Sequence, residues 1–99
     1  MILYNITYNI EKDIQKEWTS YMKNEYIPLF LQSGEIKSHK FLRLMKEDEN
    51  EGETFALQFF GNSLEDIENC MVDLVHAINA QSERFGQKQV SFATLLEEI

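Results

Sequence analysis

The nine residues ILYNITYNI, from Ile2 to Ile10, alternate strictly between two chemistries. Ile2, Tyr4, Ile6, Tyr8 and Ile10 fall on one side, and Leu3, Asn5, Thr7 and Asn9 on the other. Period two in β-branched and aromatic residues reads as a strand with two unlike faces. Such a strand needs helices against its apolar face.

From about Lys12 the period changes. Ile14, Trp18, Tyr21, Met22 and Glu25 follow three- and four-residue spacing, which predicts a helix with Trp18 and Met22 one turn apart on its buried stripe. The chain's only proline, Pro28, stands inside EYIPLFLQSG. Proline cannot donate to the preceding turn, and it disfavours the α conformation in the residue before it. The sequence therefore predicts that the helix breaks or kinks near Ile27 and that Pro28 opens a second short helix ended by Gly34. LFLQSG would then fold over the end of the sheet as a cap.

IKSHKFLRLMK reads as a second strand, with His39, Phe41, Arg43 and Met45 on one face and Lys40, Leu42 and Leu44 on the other. EDENEG is turn chemistry, and ETFALQFF is the next strand of a hairpin. Ser63 followed by Asp66 is a helix start resembling a capping box. Leu64, Ile67, Met71, Leu74, Val75 and Ile78 continue it as one helical stripe, which Arg84 and Gly86 close. KQVSFATLL is the last strand.

The order βαββαβ, with short connections and right-handed crossovers, predicts an α+β, ferredoxin-like sandwich: a four-stranded antiparallel sheet with two helices on one face. Residues 1–99 form a single domain, with strands at Ile2–Ile10, Ile36–Lys46, Thr54–Phe60 and Lys88–Leu96. The face away from the helices would carry Leu3, an apolar side of each later strand, and Phe59 or Phe60. An open apolar sheet face needs a partner, so the expectation is a homodimer built through that face.

The formal net charge is −8. Nucleic-acid affinity comes largely from Lys and Arg on phosphates, and anionic membranes attract basic segments, so neither is an expected partner. No apolar run approaches the ~20 residues of a membrane helix. MILYNITYNI lacks the basic start and small-residue cleavage site of a signal peptide. The lone cysteine, Cys70, excludes an internal disulfide and fits a reducing, cytoplasmic setting.

Over nearly its whole length the chain resembles a family of short acidic bacterial proteins known only as a domain of unknown function. The matching pieces are MILYN, Trp18 and Met22, Ile27-Pro28, Gly34, LRL at Leu42–Leu44, RFG at Arg84–Gly86, and the closing TLLEE. The resemblance implies a ferredoxin-like protomer of the dimeric α/β-barrel kind, in which two sheets pack face to face. It supplies no catalytic residues. Family members often have a histidine before Ile-Pro, where this chain has Tyr26, which removes that histidine from its chemistry.

The motifs favour bland readings. Asp48, Asn50 and Gly52 suggest calcium, but an EF-hand loop needs a glutamate at about position twelve, where this chain has Phe59. ETFALQFFG lacks the Lys/Arg-Gly start of an RNA-recognition strand. His76 shares a stripe with Asn69, Asp73 and Ala80 that reads as solvent face, and His39 sits among lysines. No metal ligand set and no cofactor are expected, and Cys70 reads as a small buried hydrophobe.

One polar constellation remains. Asn5 and Thr7 on the first strand should neighbour Gln58 on the third, all pointing away from the helices. Polar groups there must bond to one another, to water or to a ligand. A satisfied patch inside a dimer is one reading. It fits a binding or assembly module without a catalytic constellation. A small-molecule pocket of Asn5, Thr7, Tyr26, His39 and Gln58 is the other. In it the amides would orient a substrate carbonyl and Tyr26 or His39 would handle a proton, as in a cofactor-independent oxygenase or isomerase with its pocket between sheet and helices or in the dimer interior.

Overall fold

The computed structural model describes residues 1–45 and 52–99. Its sheet has four strands: β1 (Ile2–Ile10), β2 (Ile36–Arg43), β3 (Glu53–Gly61) and β4 (Gln89–Glu97), in the order β2-β3-β1-β4. All pairings are antiparallel, so β1 is hydrogen-bonded on both sides, to β3 and to β4. This is the ferredoxin-like arrangement that the element order predicts. β1 keeps its expected bounds, β3 gains a residue at each end, and β4 runs one residue later. β2 ends at Arg43 rather than at Lys46, which lies outside the described residues, as do Asp48 and Asn50 of the calcium reading.

The alternation of β1 works as read. Ile6, Tyr8 and Ile10 are buried beneath the helices, and the register carries that face across the sheet to Phe55, Leu57 and Phe59 on β3. Phe60, not Phe59, therefore belongs to the open face.

The helical layer departs from expectation at the proline. A 3-10 turn (Lys12–Ile14) leads into α1 (Gln15–Tyr21), a π-helical turn (Met22–Tyr26) and α2 (Ile27–Gln32). No break occurs at Ile27, whose φ of −57° and ψ of −43° are helical. The ladder widens instead: the Ile27 N–H reaches back five residues to the Met22 carbonyl. A wider turn accommodates a ring that would otherwise collide with the carbonyl four residues back, and the missing proline N–H costs no regular bond. The widening also corrects the register of the buried side chains. Trp18, Met22, Tyr26 and Phe30 are all buried at four-residue spacing, which drifts by about 40° per step on a straight α-helix. Tyr26, not Glu25, takes the inward position. Gly34, with φ 84°, ends the element as expected.

The second helical stretch is divided. Ser63 caps α3 (Leu64–Asp73) by accepting from the Asp66 N–H at 3.1 Å. Leu74 then leaves helical geometry (φ −106°, ψ 19°) before α4 (Val75–Phe85). The single stripe is replaced by two inward sets: Ile67 and Cys70 from α3, Gln81 and Phe85 from α4, while Leu64 and Val75 are exposed. Gly61 lets α3 sit close, because a Cβ there would lie 2.8 Å from Ile67 Cδ1.

The core is organised around Trp18, which has no exposed surface. Its ring meets Phe55 at 4.8 Å, Tyr8 at 5.2 Å and Phe41 at 5.7 Å between centroids. α2 is seated by Phe30 stacked on Phe59 at 4.6 Å. The Trp18 indole N–H donates to Gln89 Oε1 at 2.9 Å. Gln89 and Gln81 exchange amide hydrogen bonds of 2.7 and 2.8 Å. Replacing Trp18→Phe removes the indole donor. We expect it to lower the unfolding free energy by about 1–3 kcal/mol in urea titrations. An unchanged midpoint would show that the network adds nothing to stability.

Candidate functional site

The open face of the sheet is banded. Its register aligns Leu96, Leu3 and Phe60 in one row, Thr94, Asn5, Gln58 and Lys40 in the next, and Phe92, Thr7, Ala56 and Leu42 in a third. Apolar side chains on this face are bare to solvent, including Val90 (71% exposed), Phe92 (63%) and Leu96 (53%). Between them the polar row is internally bonded. Gln58 Nε2 donates to Asn5 Oδ1 at 3.2 Å, and Asn5 Nδ2 donates to Thr7 Oγ1 at 3.4 Å.

The sheet separates the five residues read from the sequence as one pocket. Asn5, Thr7 and Gln58 come together on the open face. Tyr26 is buried on the opposite side, in the helical layer. His39 pairs in register with Phe59, so it belongs to the helix side, but it stands exposed on the outer strand β2. The physical reason is the pleat: odd residues of β1 and even residues of β3 share one face, and helices cover only the other. His76 is exposed on α4. Cys70 is buried, donates its S–H to Ser33 Oγ at 3.4 Å, and is pushed up in pKa by burial. Among the described residues, no group of three His, Cys, Asp or Glu side chains is placed to hold a metal.

A cavity of about 190 Å³ lies on the helix side, between α4 and the β1–β4 half of the sheet. Its origin is local. The helix-facing positions of β4 beside Tyr8 and Ile6 are Ser91 and Ala93, side chains too small to fill the gap. Tyr4, Tyr8, Tyr26 and Gln81 contribute the polar part of the wall, and Phe30 and Phe59 the apolar part. Of these, only Tyr26 was singled out in the sequence as a site residue. Tyr4 and Tyr8 read as core members of an alternating strand. Gln81 carried a usable signal: with Ile78 and Phe85 it keeps helical spacing on an apolar stripe, and it is 3% exposed.

The tyrosines set the chemistry. Burial holds the Tyr8, Tyr26 and Tyr4 hydroxyls above the ordinary phenol pKa. Neighbouring rings add to the effect: Tyr26 and Tyr4 at Tyr8, and Tyr4 and Tyr21 at Tyr26. Near neutral pH the wall thus presents uncharged hydroxyls, able to donate and accept hydrogen bonds but not to act as phenolate bases.

The model of one protein family, "Domain of unknown function (DUF4286)", matches residues 1–99. No curated protein matches the sequence. Among solved structures, the chain is similar to an ethyl tert-butyl ether D (EthD) family protein from Bacillus halodurans, with a TM-score of 0.70, 14% identity and 100% of both chains covered. It is similar to a dimeric ferredoxin-like protein from an uncultured marine organism, with a TM-score of 0.73, 11% identity, and 100% of this chain and 95% of that one covered. It is also similar to SnoaB, a cofactor-independent oxygenase from Streptomyces nogalater, with a TM-score of 0.68, 8% identity, and coverage of 98% and 92%. These likenesses establish the fold.

The buried tyrosines make an alkaline limit. Unfolded tyrosine ionises near pH 10, whereas in the native state Tyr8 and Tyr26 keep their protons to higher pH. Above about pH 10 the unfolded chain therefore binds fewer protons than the native one, and stability falls as pH rises, by about 1.4 kcal/mol per unit for each such tyrosine. Urea midpoints should be level through these groups below pH 10 and drop above it, and Tyr8→Phe should shallow the drop. A wild-type midpoint that stays level from pH 9 to 11 would contradict the assignment.

Proposed function

The chain belongs to the DUF4286 family of unknown function, and from its own geometry we propose that it is a small homodimeric binding module whose ligand site is the cavity beneath α4. The observation that carries this reading is the cavity itself: about 190 Å³, half-lined by aromatic side chains, with a few hydroxyl and amide groups converging on it. Concave sites that combine aromatic walls with placed polar groups are where small molecules bind. Gln81 is held in place by Gln89, so one wall is already ordered.

The open face supports the dimer. Val90, Phe92, Leu96 and Leu42 are left in water by the single chain, and a second sheet packed at ~10 Å would cover them. The polar row does not oppose burial, because Asn5, Gln58 and Thr7 bond to one another. The dimeric ferredoxin-like neighbour supports the same assembly. Among the described residues no helix is long and apolar enough to cross a membrane. The single cysteine, reduced and buried, supports a cytoplasmic setting. The net charge of −8 supports a partner other than nucleic acid or an anionic membrane.

The cofactor-independent oxygenase among the neighbours brings a second reading to the same cavity. A pair of neutral hydroxyls, Tyr8 and Tyr26, would donate a hydrogen bond or a proton to charge developing on a substrate oxygen. Turnover of a bound compound, abolished by Tyr26→Phe, would favour this reading over simple binding.

Sedimentation at micromolar concentration should give twice the chain mass of 11.7 kDa. Phe92→Lys should yield a folded monomer by circular dichroism. A wild-type monomer would overturn the dimer. For the cavity, NMR titration with a mixed panel of one-ring aromatic compounds should move the resonances of Gln81, Ser91 and Ala93, and Ala93→Phe should abolish the shifts by filling the space. Shifts confined to the open face would overturn this choice of site.

A further inference from the structure

Resting on the reading of the cavity as a ligand site, we propose that it is selective for a neutral, single-ring aromatic compound bearing one carbonyl or hydroxyl group, with that group bonded to the tyrosine hydroxyls of its wall. Three features of the cavity converge on this class.

The first is size. An apolar protein cavity of ~150 Å³ holds one benzene molecule. At about 190 Å³ this cavity has room for a ring and a short substituent.

The second is charge. Apart from tyrosine hydroxyls, the lining contains no titratable side chain. A carboxylate entering it would lose its hydration without meeting a cation, and it would approach a chain of net charge −8. An ammonium group would meet no carboxylate. Nor is there a ring of open aromatic faces to receive it, because the rings pack on one another: Phe30 on Phe59, Tyr26 against Phe30, and Tyr8 against Trp18.

The third is the placement of polar groups. Tyr4, Tyr8 and Tyr26 line the wall beside β1 and the π-helical turn, so their hydroxyls are the donors there for an oxygen in the cavity. Gln81 is not available for this, because its amide is committed to Gln89 on both sides. The ligand's oxygen therefore points toward β1 and the π-helical turn, and its ring lies against Ile6, Ile78 and Ala93 toward the β4 edge.

The test compares four compounds of similar size on the full-length dimer at pH 7: benzamide, benzoate, benzylamine and toluene, each titrated by NMR. Benzamide should bind most tightly, with benzoate and benzylamine at least about tenfold weaker because their charges are desolvated unpaired. Tyr26→Phe should weaken benzamide by up to about tenfold, the worth of one hydrogen bond, and leave toluene unchanged. The toluene result shows that the cavity survives the substitution. If benzoate or benzylamine binds as well as benzamide, the ligand class is wrong while the site stands. If benzamide binds but Tyr26→Phe has no effect, the hydroxyl-directed pose is wrong. If none of the four moves a cavity resonance, both the class and the site fall.

Discussion

The indole of Trp18 is where the two layers of this protein are held together. It sits on the apolar side of β1 and β3, against Tyr8 and Phe55, and is fully removed from solvent. A buried indole N–H needs an acceptor, and Gln89 at the start of β4 supplies one. Gln89 in turn needs its own amide satisfied, and Gln81 of α4 does this reciprocally. One hydrogen-bonding requirement therefore ties α1, β4 and α4 together. Beyond that anchor the helix-facing residues of β4 are small and exposed, Ser91 and Ala93, and the cavity opens beside them.

The proline belongs to the same design. A helix that must keep Trp18, Met22, Tyr26 and Phe30 all facing the sheet cannot run straight, because four-residue spacing carries each successive side chain further round the axis. A single π turn brings them back into line, and Pro28 stabilises that turn by removing the N–H that a regular helix would use there. The side chain delivered by the turn is Tyr26, which lines the cavity together with Tyr8 of the sheet. Backbone irregularity, core packing and the polar corner of the cavity thus share one cause.

The two faces of the sheet differ in chemistry. On the open side, banded rows of exposed apolar residues flank a polar row that satisfies itself. On the helix side, the tyrosines and Gln81 line a void. A fold of this size has one core to bury. It can still hold a ligand site on one side of its sheet and an association surface on the other, because adjacent residues of a strand point in opposite directions.

Local chemistry was sufficient for most of the architecture. The alternation from Ile2 to Ile10 announced β1 and its inner face, Ser63 announced the start of α3, Gly34 announced the end of α2, and element order implied the sheet topology. These features depend on period, capping and turn geometry, which involve residues near one another in the chain. The pairing of Asn5 with Gln58 was also legible, because strand order and pleat together specify it. The cavity was not. It depends on Ser91 and Ala93 lying opposite Tyr8 and Ile6, residues more than eighty positions apart, and on how far α4 stands from the sheet, which no local pattern specifies. Nor could sequence spacing separate Tyr26 and His39 from Asn5, since a residue's side of the sheet follows from how the helices dock. The response to Pro28 lay between these limits. The sequence by itself determined that the helix could not continue regularly; only the demand of the packed core, which needed Tyr26 and Phe30 on the same side as Trp18, decided that it would widen rather than break.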